Sequence, residues 1–175
     1  IPYRIYGSHS FYDRAEIKDM LSYFKLVVNR RDNESYNRVI NVPARGIGAT
    51  SMEKLNLAAS KAGCTLLEAT LLPAETLFEA GLKEAAIKKF REFTNMILSI
   101  ADKVQNEDCY DLAVEIGNAS GYLSSLKADS SPEGQARFEN VEELFGSIKE
   151  YSEEESEMRH TLADDDVEEV NEIVT

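Results

Sequence analysis

A mainly α-helical bundle is the fold class this sequence predicts, and three observations predict it. Apolar residues recur three and four positions apart along most of the chain, the spacing of one helix face. Cap residues, prolines and glycines interrupt those stretches at the intervals expected of helices joined by short loops. Strand-like signals are confined to the two ends. At 175 residues and 43% hydrophobic composition, the chain is long enough for one domain with a sizeable core.

The elements follow in order. Ile1 to Tyr6 alternates apolar and polar, predicting a short strand that Gly7-Ser8 ends. Asp13-x-x-Glu16 has the form of a capping box, and Ile17, Met20, Leu21, Phe24, Val27 and Val28 then follow at helical spacing. Asn33 is placed to cap a short helix carrying Tyr36, Val39 and Ile40, which Pro43 stops. After the run Gly46-Ile47-Gly48, a second capping box, Thr50-x-x-Glu53, opens a helix with Met52, Leu55, Ala58 and Ala59 inward, ending at Gly63. Thr65 caps a short helix through Leu71 that Pro73 closes.

The longest regular segment runs from about Leu82 to Val104. Its stripe of Ile87, Phe90, Thr94, Ile97, Ala101 and Val104 is widened by Phe93, Met96 and Ile100, which marks a central helix. Asp108 or Asp111 starts a further helix, and Gly117 to Gly121 breaks it before a short Tyr122–Leu126 segment. Ser131-Pro132 opens the last helix, with Phe138, Val141, Leu144, Phe145, Ile148 and Tyr151 inward. Beyond Glu153 the chain is acidic and poor in core residues, which predicts a mobile segment; Val170, Ile173 and Val174 could close it as a strand. The two terminal strands suggest an insertion whose partner sheet lies elsewhere in a longer protein, and the start at Ile1 without a Met agrees.

The net charge of −13 argues at first against nucleic acid. Its distribution reverses that argument. Residues 1–62 hold ten Lys and Arg against six Asp and Glu, whereas residues 150–175 hold one against eleven. Such asymmetry suggests one face for a polyanion, with the acidic end solvated.

Several chemistries lack their residues. There is no phosphate loop for ATP, no dinucleotide fingerprint, no zinc-protease motif and no nucleophile elbow. His9 and His160 have no partners at ligand spacing, and Cys64 and Cys109 stand far apart, which fits a reduced cytoplasmic setting. Asp164, Asp165, Asp166, Glu168 and Glu169 lack the glycine and bidentate Glu of a calcium loop and read as a solvated run. Neighbouring Glu142 and Glu143 point in different directions and make no acid–base pair. No catalysis, metal or cofactor is expected of this chain alone, and no apolar run reaches the length of a membrane span.

Gly46-Ile47-Gly48 is the one motif that suggests a ligand. A glycine pair at a helix start exposes backbone N–H groups where the helix dipole favours an anion, and lets a phosphate approach closely. The same residues also read as a tight interhelical turn.

Three ordered segments extend this reading. Ile1-Pro2-Tyr3-Arg4-Ile5-Tyr6-Gly7 with Phe11-Tyr12-Asp13-Arg14-Ala15-Glu16-Ile17-Lys18-Asp19, then Arg38-Val39-Ile40-Asn41-Val42-Pro43-Ala44-Arg45-Gly46-Ile47-Gly48, then Arg137-Phe138-Glu139-Asn140-Val141-Glu142-Glu143-Leu144, resemble the UvrD/PcrA/Rep group of superfamily 1 bacterial DNA helicases. The resemblance implies a 2B subdomain inserted into the second RecA-like motor domain of an ATP-dependent 3′-to-5′ helicase. It also implies that ATP and Mg belong to the parent's motor domains. The 2B subdomain would contact duplex DNA ahead of the fork and swivel to regulate unwinding, in a bacterial cytoplasm at the nucleoid. After Thr161-Leu162-Ala163 the chain departs from that pattern.

The expected domain plan is a linker over residues 1–10, a helical 2B-like unit over 11–151, and an acidic return segment over 152–175. The expected DNA-binding residues are Arg45, Gly46, Ile47, Gly48, Thr50 and Lys54, touching duplex phosphates without sequence specificity. Thr50 is equally suited to capping a helix. Arg14, Arg137 and Asn140 are further candidates that could instead pin helices together, and Phe11 and Tyr12 read as core residues or as base-stacking ones. The competing reading of the whole chain is a protein–protein interaction module in which the glycine turn is only structural.

Overall fold

The computed structural model describes the backbone of residues 9–174 and the side chains of residues 10–163. Among the described residues every regular element is a helix: α1 (His9–Tyr12), α2 (Ala15–Val28), α3 (Asn33–Val39), α4 (Ala49–Ala62), α5 (Leu66–Thr70), α6 (Ala74–Glu79), α7 (Glu84–Ala101), α8 (Cys109–Ala119), α9 (Tyr122–Ala128) and α10 (Pro132–Val174). The helical-bundle expectation is met. The N-terminal strand expected over Ile1–Tyr6 and the side chain of His9 lie outside the described residues, as do the side chains of the acidic run from Asp164.

The core forms where α2 and α7 face each other and collect the shorter helices. Ile17, Met20, Tyr23 and Leu26 of α2 and Phe90, Phe93, Ile97 and Ile100 of α7 are buried, each set at helical spacing. Tyr36 of α3 meets Phe93 edge-on, with ring centroids 5.4 Å apart. Two threonines satisfy each other in this apolar setting: Thr70 and Thr94 share a 2.8 Å hydrogen bond, and Thr70 also donates to the Leu67 carbonyl.

Several local expectations change in the folded chain. The capping box at Asp13 does not form. Arg14 is the N-cap of α2 without a side-chain bond, because Glu16 is buried and accepts a 2.8 Å hydrogen bond from Asn140 of α10. Asp32, not Asn33, caps α3 by accepting from the Ser35 N–H and hydroxyl. Asn33 is then available to the start of α5, where its Oδ1 accepts from the Leu66 N–H. Thr65 and Asp108 cap α5 and α8 as expected. Pro73 opens α6, a helix not anticipated over residues 74–79.

Gly117 does not break α8. It lies inside the helix, where an added Cβ would come 2.8 Å from Leu123 and 3.1 Å from Phe145, so the glycine permits close packing of α9 and α10. The break falls at Gly121, whose φ is +77°. Val28, expected in the core, is 75% exposed, and Tyr151 is also exposed. The helical backbone of α10 continues to Val174, where a return strand over Val170, Ile173 and Val174 was expected. Glu, Met, Leu and Ala favour helix, and Glu155 pairs with Arg159 one turn on, so backbone propensity and local pairs hold the helix over residues 153–163, where little is buried.

Candidate nucleic-acid interface

The loop from Ile40 to Gly48 joins α3 to α4 and is held from beneath. Its Val42–Pro43 peptide is cis. The Tyr23 hydroxyl donates to the Val42 carbonyl. Burial raises the Tyr23 pKa, with neighbouring Arg45 opposing, so the phenol stays protonated and able to donate. Arg45 lies behind the turn rather than on its outer face. Its Nη1 donates to the carbonyls of Val39 (2.8 Å) and Ile40 (2.9 Å), and its Nη2 donates to Tyr23 Oη (2.6 Å) and the Ser120 carbonyl (2.9 Å). The guanidinium also lies over the Phe93 ring, 4.7 Å from its centroid. These partners gather the end of α3, the loop and the α8–α9 junction around one side chain, and they occupy its Nη1 and Nη2 donors.

The turn itself is built from the backbone. Asn41 Oδ1 accepts from the Arg45 N–H (2.7 Å) and the Ile47 N–H (3.3 Å). Ile47 is buried and anchors the loop. Gly46 has φ +73°, a conformation that favours glycine, and its carbonyl accepts from Lys89 of α7 at 3.3 Å. Gly48 is different. It is the N-cap of α4 with φ −88° and ψ 172°, a conformation open to any residue, and an added Cβ would meet nothing within 4 Å. Among the described residues no contact requires glycine at that position.

No side chain caps α4, and the first turn of the helix carries no acid. Its first intrahelical bond runs from the Met52 N–H to the Gly48 carbonyl, and among the described residues the N–H groups of Ala49, Thr50 and Ser51 have no protein acceptor. Thr50 is exposed and does not act as the cap. Beside this helix start is a hollow of about 240 Å³, lined by Gly46, Ile47, Ser51 and three lysines, Lys54, Lys83 and Lys89, with no acidic residue among its walls. Lys54 was legible in the sequence as the residue one turn beyond Thr50. Lys83 and Lys89 were not, because α7 reaches the turn only through the tertiary fold.

The remaining candidates are gathered elsewhere. Arg14 donates to Asn140 Oδ1 at 2.6 Å and lies over the Phe11 ring; Asn140 in turn holds Glu16. This chain of contacts seams the start of α2 to α10, and Phe11 is buried beside it. Exposed Arg137 lies 3.8 Å from Asp129 just before the start of α10.

No helix among the described residues is long and apolar enough to cross a membrane. Comparison with known proteins places the chain. The UvrD-like helicase C-terminal domain matches it over residues 1–174. The ATP-dependent DNA helicases PcrA of Staphylococcus epidermidis and Bacillus subtilis are each 35% identical to it, over 87% and 92% of this chain. PcrA of Staphylococcus aureus is 33% identical over 87% of the chain. The matched region is 20% or 21% of each relative's length, so the chain spans about a fifth of the helicases it resembles. On this evidence of sequence and fold, the chain belongs to the UvrD-like helicase C-terminal domain family.

Proposed function

We propose that this chain is a 2B-type subdomain that grips duplex DNA for a larger ATP-dependent helicase without itself catalysing a step. The observation that carries the reading is Gly48: an exposed glycine that the fold does not require, at the uncapped start of α4, beside three lysines. A phosphate oxygen seated there would accept from the free N–H groups of Ala49, Thr50 and Ser51, with the missing Cβ allowing close approach. Lys54 and Lys89 would neutralise its charge. Gly46 and Ile47 set the turn, the Thr50 hydroxyl can donate to a neighbouring oxygen, and Arg45 holds the platform rigid from behind. Backbone donors and lysines read phosphate rather than base edges, so binding would be indifferent to sequence.

In the full protein this surface would hold the duplex at a single-strand junction while motor domains of the same chain bind ATP and Mg. Residues 11–151 would form the subdomain, with residues 1–10 and 152–175 leading from and back to the motor. Such a helicase would act on the bacterial chromosome in the cytoplasm, travelling 3′ to 5′ and regulated by the subdomain's orientation.

The test is fluorescence anisotropy on a hairpin duplex with a 3′ single-stranded tail, at several salt concentrations. A few phosphate contacts predict a log–log salt slope of about −2 to −4 and a dissociation constant no tighter than about 10⁻⁴ M. Gly48→Asp places a carboxylate where the phosphate would sit and caps α4, so it should bind no DNA while remaining fully folded. Binding unchanged by Gly48→Asp would sink the reading.

A second reading, a protein–protein interaction module, is favoured by one feature. An apolar groove of about 350 Å³ between α2, α8 and α10 is lined by Phe24, Val28, Leu112, Ile148 and Tyr151 among others. Partner capture that survives Gly48→Asp but is lost in Val28→Glu would support it.

A further inference from the structure

The phosphate-gripping turn has a second copy in the same chain. Gly46-Ile47-Gly48 leads into α4; Gly81-Leu82-Lys83 leads into α7. Each begins with an exposed glycine at positive φ, +73° and +97°. Each continues with a buried apolar residue, Ile47 at 4% and Leu82 at 3% exposure. The N-caps that follow share one extended conformation, φ −88° and ψ 172° at Gly48 against φ −101° and ψ 162° at Lys83, and neither helix has a side-chain cap. Eight residues beyond each glycine stands a lysine, Lys54 and Lys89, followed by a fully buried residue, Leu55 and Phe90.

The two copies touch reciprocally. A Cβ on Gly46 would come 2.9 Å from Lys89 Nζ, and a Cβ on Gly81 would come 3.3 Å from Lys54 Cε. Each lysine therefore lies over the other copy's glycine. Contacts in which i meets j and j meets i are the signature of a two-fold relation. The lysine cluster of the hollow lies between the two copies, and Glu84, the acid in the first turn of α7, is not among its walls.

We infer that the Gly81 turn with Lys83 is a second phosphate-binding site, and that the two turns grip the two strands of one duplex. The inference rests on the proposed role of the Gly48 turn. Successive phosphates on one strand are related by a rise and rotation along that strand. The antiparallel strands of a duplex are related by local two-fold axes instead, so two-fold copies of one element meet both backbones in the same orientation. A single strand offers no such pair. The second site therefore contributes to duplex binding more than to single-strand binding.

The experiment titrates the 175-residue chain, and its Lys83→Asp, Gly48→Asp and Lys88→Asp variants, against a fluorescent duplex and the matching single strand. Lys83→Asp gives α7 an N-cap and removes one cation from the hollow; Lys88→Asp makes the same charge change on the same helix, away from it. Circular dichroism checks that each variant is folded. Lys83→Asp should weaken duplex binding about tenfold, the size of one charge-assisted contact, and shrink the salt slope by about 1. It should also narrow the preference for duplex over single strand, while Lys88→Asp does neither. Loss of binding in Gly48→Asp with Lys83→Asp behaving like Lys88→Asp would overturn the second site and leave the first. Equal losses on duplex and single strand in Lys83→Asp would overturn the two-strand grip. Binding that ignores both Gly48→Asp and Lys83→Asp, or no binding by the unaltered chain at low salt, would overturn both readings.

Discussion

Arg45 and Gly48 show how one turn divides labour between residues three positions apart. Arg45 holds five oxygen atoms through Nη1 and Nη2 and stacks on Phe93, so its removal strands carbonyls that the fold has withdrawn from water. Arg45→Ala should destabilise the chain by about 3 kcal/mol, and Arg45→Lys by somewhat less, because an ammonium cannot reproduce the planar fork. Urea unfolding checks this; a loss of DNA binding with unchanged stability would instead return Arg45 to the phosphate. The two glycines separate in the same way. Gly46→Ala is strained by its positive φ and should cost about 1 kcal/mol, whereas Gly48→Ala meets neither strain nor clash and should leave stability within about 0.5 kcal/mol. Thermal melts of the two variants side by side decide it.

At the scale of elements, α3, α5 and α8 begin where a side chain caps them. Asp32 accepts two hydrogen bonds from Ser35, and these hold its carboxyl below the ordinary value. In acid the unfolded chain takes up this proton before the folded one does. The cap's contribution is therefore complete above the ordinary carboxylate pKa, near 4, and fades as pH falls through the lowered value. Asp32→Ala should cost about 1 kcal/mol at neutral pH, and the difference from the unaltered chain should narrow on acidification; a constant difference would refute the cap. Elsewhere packing overrules the local signal. Glu16 had the spacing of a capping box, yet it is buried on Asn140, since a carboxylate inside the bundle needs a partner more than an exposed helix start needs a cap. Gly117 carries the composition of a breaker but lies within α8, because α9 and α10 approach too closely for a Cβ. Gly117→Ala should therefore destabilise by about 1 to 3 kcal/mol through overpacking, measurable by thermal denaturation.

For the whole molecule, the charge pattern sets the terms of any encounter with DNA. A chain of net charge −13 presents three lysines around one acid-free hollow. Residues 152–175 hold ten acids and one arginine. Truncation after Tyr151 should raise DNA affinity at low salt, with the gain vanishing at high salt where charges beyond about 10 Å are screened. An affinity gain that persists at high salt would point to direct blocking by the segment rather than to its field.

Much of the fold was legible in the sequence because its signals are local. Apolar spacing placed α2, α4, α7, α8 and the buried half of α10, and Thr65, Asp108 and Pro132 marked starts that hold in the folded chain. The Gly46–Gly48 turn was legible for the same reason: a glycine pair before a helix is written in consecutive residues. Which side chains serve that turn was not legible. Arg45 turns inward because Tyr23, Phe93 and Ser120, distant in sequence, converge behind it. Lys89 reaches Gly46 across 43 residues, and Lys83 joins the hollow only because the fold brings the start of α7 beside the Gly46–Gly48 turn. Spacing along a chain reports period and punctuation, so the sequence by itself determined the helices and the position of the turn. Which residues support the turn and which cations surround it depend on contacts between segments far apart in the chain, and only the tertiary structure decided those.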